Sequence, residues 1–112
     1  TKQDGRIDWT QSAEQVERHV RGMQPWPAPF SELEQPGKPS LRILILSVEV
    51  ASSQSDFDLR PGSVIESTGH RLVVACGTGA LSILVLQPDG KRPMPIADFL
   101  RGRSVKVNDM FR

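Results

Sequence analysis

The sequence predicts a mostly β fold: a small, partly open OB-like barrel of about five or six strands, with an amphipathic helix before it and a short helix after it. Three observations carry this. Short β-branched and aliphatic runs recur between turn-forming clusters. A single apolar stripe at helical spacing occupies residues 13 to 23. Nine prolines and nine glycines in 112 residues cut the chain into short elements and leave no room for long helices. An α+β sandwich is the alternative that the same elements permit.

Residues 1 to 9 read as an extended lead-in, with Ile7 and Trp9 alternating against Arg6 and Asp8. Ser12 with Gln15 three residues later matches a capping box, and Thr10 is a competing cap. Ala13, Val16, Val20 and Met23 share one face of the helix, while Glu14, Glu17, Arg18 and Arg21 turn away. Gly22, then Pro25 and Pro27, end it near residue 22. Both prolines hold the residues before them extended, so Trp26 leaves in a fixed direction, placed to plug a barrel mouth or seam. Phe30 then opens a strand that the EQPGKPS loop at 34–40 closes.

LRILILSVEV, residues 41 to 50, is the strongest strand, apolar on both faces in its middle, so the alternation does not say which face is inward. Residues 52 to 62 read as a polar surface loop ending in a Pro61-Gly62 turn. SVIES and RLVVAC flank a Thr68-Gly69-His70 turn and make a hairpin. A further strand, ALSILVLQ, runs from the Gly77-Thr78-Gly79 turn to the Pro88-Asp89-Gly90 turn. IADFLRG gives a short helix with Ile96, Phe99 and Leu100 inward and Gly102 as its stop. The tail, residues 103 to 112, adds a last strand through Val105, Val107 and Met110.

Hydrophobic and charged fractions of 38% and 24% are those of one ordinary folded domain, not of a disordered chain. No apolar run approaches the ~20 residues of a membrane helix, and the N-terminus lacks a signal-peptide pattern. A lone cysteine, Cys76, excludes an internal disulfide and fits a reducing, cytoplasmic setting. No P-loop, dinucleotide fingerprint, paired catalytic carboxylates or zinc spacing is present. His19 has Gly22 and Met23 at the ligand spacings, and His70 lies in a turn. Cys76, in a Val-Val-Ala-Cys run, reads as a buried inert thiol.

A net charge of +1 argues against a strongly basic nucleic-acid binder. The distribution is less neutral, at −3 over residues 1–59 and +4 over residues 60–112. Lys91, Arg92, Arg101, Arg103, Lys106 and Arg112 form a modest late patch, able to touch phosphate weakly and in a salt-sensitive way. Lys91 and Arg92 lead the candidates, although a solvated hairpin tip would look the same. Arg101 is equally explained by the helix C-terminus, whereas Arg103 and Lys106 are less accounted for. Arg42 joins this surface if it points outward. With no tyrosine and four phenylalanines, Trp9 and Trp26 belong in the core rather than under bases. Phosphates of a folded RNA suit this chain better than an unstacked single strand.

The runs DGRIDW (4–9), SAEQVERHVRGMQPWP (12–27), PGSVIES (61–67), GTGALSILVLQPDGKRPM (77–94) and ADFLRG (97–102), in this order and spacing, resemble the C-terminal domain of methionyl-tRNA formyltransferases. The resemblance implies one tRNA-binding OB-like domain over residues 1–112, with residues 1–10 as interdomain lead-in and the catalytic formyl-folate domain outside this chain. That family's catalytic Asn, His and Asp lie in the other domain and match nothing here, so neither catalysis, metal nor cofactor is expected of this chain. The whole enzyme would move a formyl group from formyl-tetrahydrofolate to the methionyl amine of initiator Met-tRNA. Its implied partners are that tRNA and the N-terminal catalytic domain of the same polypeptide, with no membrane and a monomeric state. Lys91 and Arg92 correspond to a basic pair of the family. Gln24, Thr78 and Pro95 depart from its usual Asn, acidic residue and Ser/Thr cap, and Ile45 replaces a frequent basic residue, removing one phosphate contact. Two rivals stand beside this reading: the barrel of a related formyl-folate hydrolase or sugar formyltransferase that shapes a cleft without RNA, and a ligand-free interaction barrel.

Overall fold

A computed structural model describes residues 5–22, 28–53 and 60–112. The Pro25-Trp26-Pro27 elbow and most of the polar 52–62 loop therefore lie outside the described residues. Helix α1 spans Ala13–Gly22 and buries Ala13, Val16 and Val20. Its start is the expected capping box: the Ser12 hydroxyl accepts the Gln15 amide at 3.2 Å, and the Ser12 amide donates to the Gln15 side chain at 3.0 Å. Thr10 is not the cap, because its amide donates to the Asp8 carboxylate at 3.0 Å in a local turn.

The strands are β1 (Phe30–Glu34), β2 (Leu41–Ser52), β3 (Val64–Ser67), β4 (Leu72–Ala75), β5 (Ala80–Pro88), β6 (Met94–Pro95) and β7 (Met110–Phe111), with helix α2 (Ile96–Gly102) before the last. They form one antiparallel sheet in the order β3-β4-β5-β2-β1-β7, with β6 paired on β5. The path returns on itself. Ser63, just before β3, bridges Met110 of β7, and the Phe111 amide donates to the Gly62 carbonyl at 2.7 Å. The result is the predicted mostly β barrel with a helix at each end, nearly closed rather than partly open and in seven strands rather than five or six.

Closure depends on bending the long central strand. The β2–β5 register shifts between Ile45 and Ser47, between Ser47 and Val48, and again between Val50 and Ser52. These bulges increase twist and let one strand serve both walls. They also change which residues face inward: Ile43 and Ile45 are fully buried, whereas Val48 and Val50 pack on the core further along. At the seam, Gly62 has φ +90° and a Cβ there would stand 2.2 Å from the Phe111 carbonyl oxygen, so the closing strand needs glycine.

The tail differs from expectation. Only Met110–Phe111 is strand, Val105 is buried without pairing, and Val107 is 52% exposed. A turn intervenes, with the Asp109 amide donating to the Lys106 carbonyl at 3.0 Å and Asn108 at φ +81°. Asparagine tolerates this left-handed conformation, and it stops the strand from extending backward. Helix α2 starts directly after Pro95, which occupies the cap position itself with no side-chain hydrogen bond.

The lead-in is bonded into the barrel. The Ile7 amide donates to the Phe30 carbonyl at 2.9 Å, and the Gly77 amide donates to the Trp9 carbonyl at 2.8 Å. A Cβ on Gly77 would fall 1.8 Å from the Thr10 carbonyl oxygen, which explains the glycine turn at this junction. Trp9, only 4% exposed, donates its indole N–H to the buried Ser31 hydroxyl at 2.9 Å and tilts against Phe111 with ring centroids 5.9 Å apart. It is a core residue, as its scarcity in this chain predicts. Thr78 contributes its carbonyl, which accepts the Ala13 amide at 2.8 Å, so its side chain is not needed for the turn's contact with α1.

Candidate nucleic-acid interface

The β5–β6 hairpin and α2 enclose a cleft of about 290 Å³ whose apolar floor includes Leu41, Met94 and Phe99. Lys91 and Arg103 line it together with Asp89 and Asp98. The turn fixes the backbone of Lys91: its amide donates to the Pro88 carbonyl at 2.9 Å, and its carbonyl accepts the Gln87 side-chain amide at 3.0 Å. Gly90, at φ +79°, makes this tight reversal possible. Arg92 is the next residue on the same turn and is exposed. Among the described residues neither Lys91 nor Arg92 makes an ion pair.

Arg103 is held differently. Its amide closes α2 by donating to the Phe99 carbonyl at 3.0 Å, and its Nε donates to the Gln35 side-chain oxygen at 2.7 Å. Gln35 is buried, and its Nε2 donates to the Ser104 carbonyl at 2.7 Å and to an Asp109 carboxylate oxygen at 2.8 Å. That oxygen also accepts the Lys106 amide at 2.9 Å. Gln35 and Lys106 line a second depression of about 400 Å³, together with Lys38. The Arg103–Gln35 hydrogen bond joins the two clefts. Lys91, Arg103 and Lys106 therefore stand around adjoining depressions.

The other two candidates are engaged elsewhere. Arg101 pairs with Asp98 one turn back on α2, so its charge is locally matched. Arg42 does point outward, but its guanidinium lies 4.0 Å from the Phe30 ring centroid, with Arg6 over the same ring at 5.0 Å. Two cations thus cover a buried phenylalanine on the outer wall, an arrangement worth about 0.5–1 kcal/mol each at exposed sites. Arg6–Glu32 and Arg112–Glu34 ion pairs complete that wall. Ile45 is wholly buried in the core, so a basic residue at this position would face inward, and the expected loss of a phosphate contact here is not supported by its placement.

Sequence reasoning missed Gln35, Asp109 and Lys38. A buried amide has no sequence signal of its own, and Lys38 lies in the acidic half of the chain. Burial, and secondarily the charge of Glu14, pushes the Cys76 thiol up to about 12. Cys76 is therefore expected to resist iodoacetamide in the native protein at pH 8 and to react fully in denaturant; rapid native labelling, followed by mass spectrometry, would contradict its burial. Burial pulls the His19 imidazole below its ordinary value against the opposing charge of Asp8. Its Nε2 is buried without a partner among the described residues. No group of three metal-ligating side chains occurs among the described residues.

Cations thus surround two adjoining clefts of a nearly closed β-barrel. The chain belongs to the formyl transferase C-terminal domain family, whose profile it matches over residues 1–104. It is 43% identical over 104 residues to the methionyl-tRNA formyltransferase of Pseudoalteromonas translucida, covering 93% of this chain and 31% of that protein. The Streptococcus pyogenes enzyme of that name is 43% identical over 106 residues, with the same coverage of 93% and 31%. That of Sorangium cellulosum is 39% identical over 106 residues, covering 95% and 32%. The chain thus spans about a third of the length of these relatives.

Proposed function

We propose that this chain is the RNA-holding barrel of a methionyl-tRNA formyltransferase. It grips phosphates of initiator Met-tRNA while a separate N-terminal domain transfers the formyl group of formyl-tetrahydrofolate to the methionyl amine. The observation that carries this is the convergence of Lys91, Arg103 and Lys106 on two joined clefts, without an ion pair to any described carboxylate. The barrel and short turns fix the backbones of these cations, so binding has only their side chains to order, which favours contact with the fixed phosphate spacing of a folded RNA. The family match and the names of its relatives supply the RNA class. The chain works in the cytoplasm and as a monomer in this reading.

A modest net charge bounds the affinity. Titration of the chain with labelled initiator tRNA is expected to give micromolar or weaker binding at low salt. The slope of log K against log salt should be about −2 to −3, at roughly 0.9 per phosphate contacted. Anisotropy measured at several salt concentrations tests this. Binding that is absent, or unchanged by salt, would overturn the proposal and favour a barrel that only shapes an interdomain cleft.

A further inference from the structure

We infer that the second cleft is a phosphate subsite in which Lys38 and Lys106 converge on one RNA phosphate, a contact that rests on the RNA-holding reading above. The cleft lies between the β1–β2 turn and the 104–109 segment. Each lysine projects from a turn whose backbone is fixed. The Lys38 amide donates to the Gln35 carbonyl at 3.2 Å, and Gly37 takes φ +76°. On the other side the Lys106 amide donates to the Asp109 carboxylate at 2.9 Å, while its carbonyl accepts the Asp109 amide at 3.0 Å.

Gln35 stitches these two turns together. Its Nε2 spans Ser104 O and Asp109 Oδ2 at 2.7 and 2.8 Å, and both Gln35 and Asp109 are buried. Only the two lysine side chains therefore remain to be ordered by a ligand. Both lysines are exposed, and neither forms an ion pair among the described residues. Among the described residues Asp109 is the one carboxylate lining the cleft, and its Oδ2 already accepts two N–H donors. Its repulsion of an anion is thereby blunted. The same Gln35 amide accepts Arg103 Nε at 2.7 Å, tying the cation of the neighbouring cleft to this one. Cations held in a fixed mutual relation across two clefts suit the regularly spaced phosphates of an RNA backbone better than a free anion.

The test is tRNA affinity against salt for Lys38→Ala, Lys106→Ala and the double variant, each at an unchanged melting temperature. Each single change is expected to lower affinity about three- to tenfold at low salt and to reduce the salt slope by about one. Because the two lysines share one phosphate, the double variant should lose much less than the product of the single losses. Lys38→Ala with wild-type affinity and slope, alongside a weakened Lys91→Glu control, would overturn the subsite and leave the RNA-holding reading intact. A wild-type chain without salt-dependent binding would remove both. Inorganic phosphate that shifts the Lys38 and Lys106 resonances, while the double variant keeps wild-type tRNA affinity, would make this a free-anion site and overturn the RNA assignment.

Discussion

Truncating Trp9 to alanine is expected to destabilise the protein by about 3–5 kcal/mol, the range for a large aromatic removed from a packed core. For a chain this size that is a fall in Tm on the order of 15 °C. Three separate losses add up at this position. The indole is buried among the barrel's core side chains and tilts against Phe111, so its removal opens a cavity beneath the closing strand β7. The Ser31 hydroxyl is fully buried and loses the N–H it accepts, keeping only its own donation to the Arg112 carbonyl at 2.8 Å. The backbone bond from Gly77 to the Trp9 carbonyl then ties down a lead-in with nothing to pack. Trp9→Phe separates these contributions: it keeps most of the ring contact, loses the hydrogen bond, and should cost about 1–2 kcal/mol. Calorimetric or circular-dichroism melts of both variants decide. A loss below about 1 kcal/mol for the alanine variant would mean that the lead-in is peripheral to the barrel.

The same residue shows what could and could not be read from the chain. Trp9 was assignable to the core from composition alone, since a barrel with no tyrosine and few phenylalanines needs its tryptophans inside. The capping box at Ser12, the turns at Pro61, Gly79 and Gly90, and the inward Ile96 and Phe99 were legible because each is a local pattern with a local cause. The inward face of β2 was not legible, because bulges near Ser47 exchange the roles of odd and even residues midway along the strand. A tail strand was expected and exists, but its extent was not legible: two residues make no periodicity, and β7 is fixed where its backbone finds Gly62 on one side and Glu32 on the other. The candidate interface divides in the same way. Lys91 and Arg92 follow a recognisable turn, and Arg101 sits at the helix end that explained it, although its pairing with Asp98 emerged only from the structure. Gln35 became visible only in three dimensions, because its partners are nearly 70 residues or more away in sequence.

Reversing Lys91 and Arg92 to glutamate together is the change expected to affect RNA binding most. Removing two phosphate contacts should reduce the salt slope by about two, and the new negative charges add repulsion to that loss. At low salt the affinity of the full-length enzyme for initiator tRNA should fall on the order of 100-fold, shrinking to a few-fold as salt screens the repulsion. Affinity for the formyl-folate donor should stay unchanged, because that site belongs to the other domain in this reading. The fold should tolerate the change well, as both side chains are exposed and unpaired among the described residues. Asp89 and Asp98 line the same cleft as Lys91, however, and a carboxylate at position 91 will repel them. A Lys91→Gln, Arg92→Gln control isolates that effect: it removes the attraction without adding charge and should give roughly a tenth of the loss. The decisive comparison is tRNA dissociation constants of both double variants over a salt series, with donor affinity measured in parallel. Equal tRNA binding by all three proteins would show that the hairpin tip is merely solvated, and the RNA contact would have to lie elsewhere on the barrel.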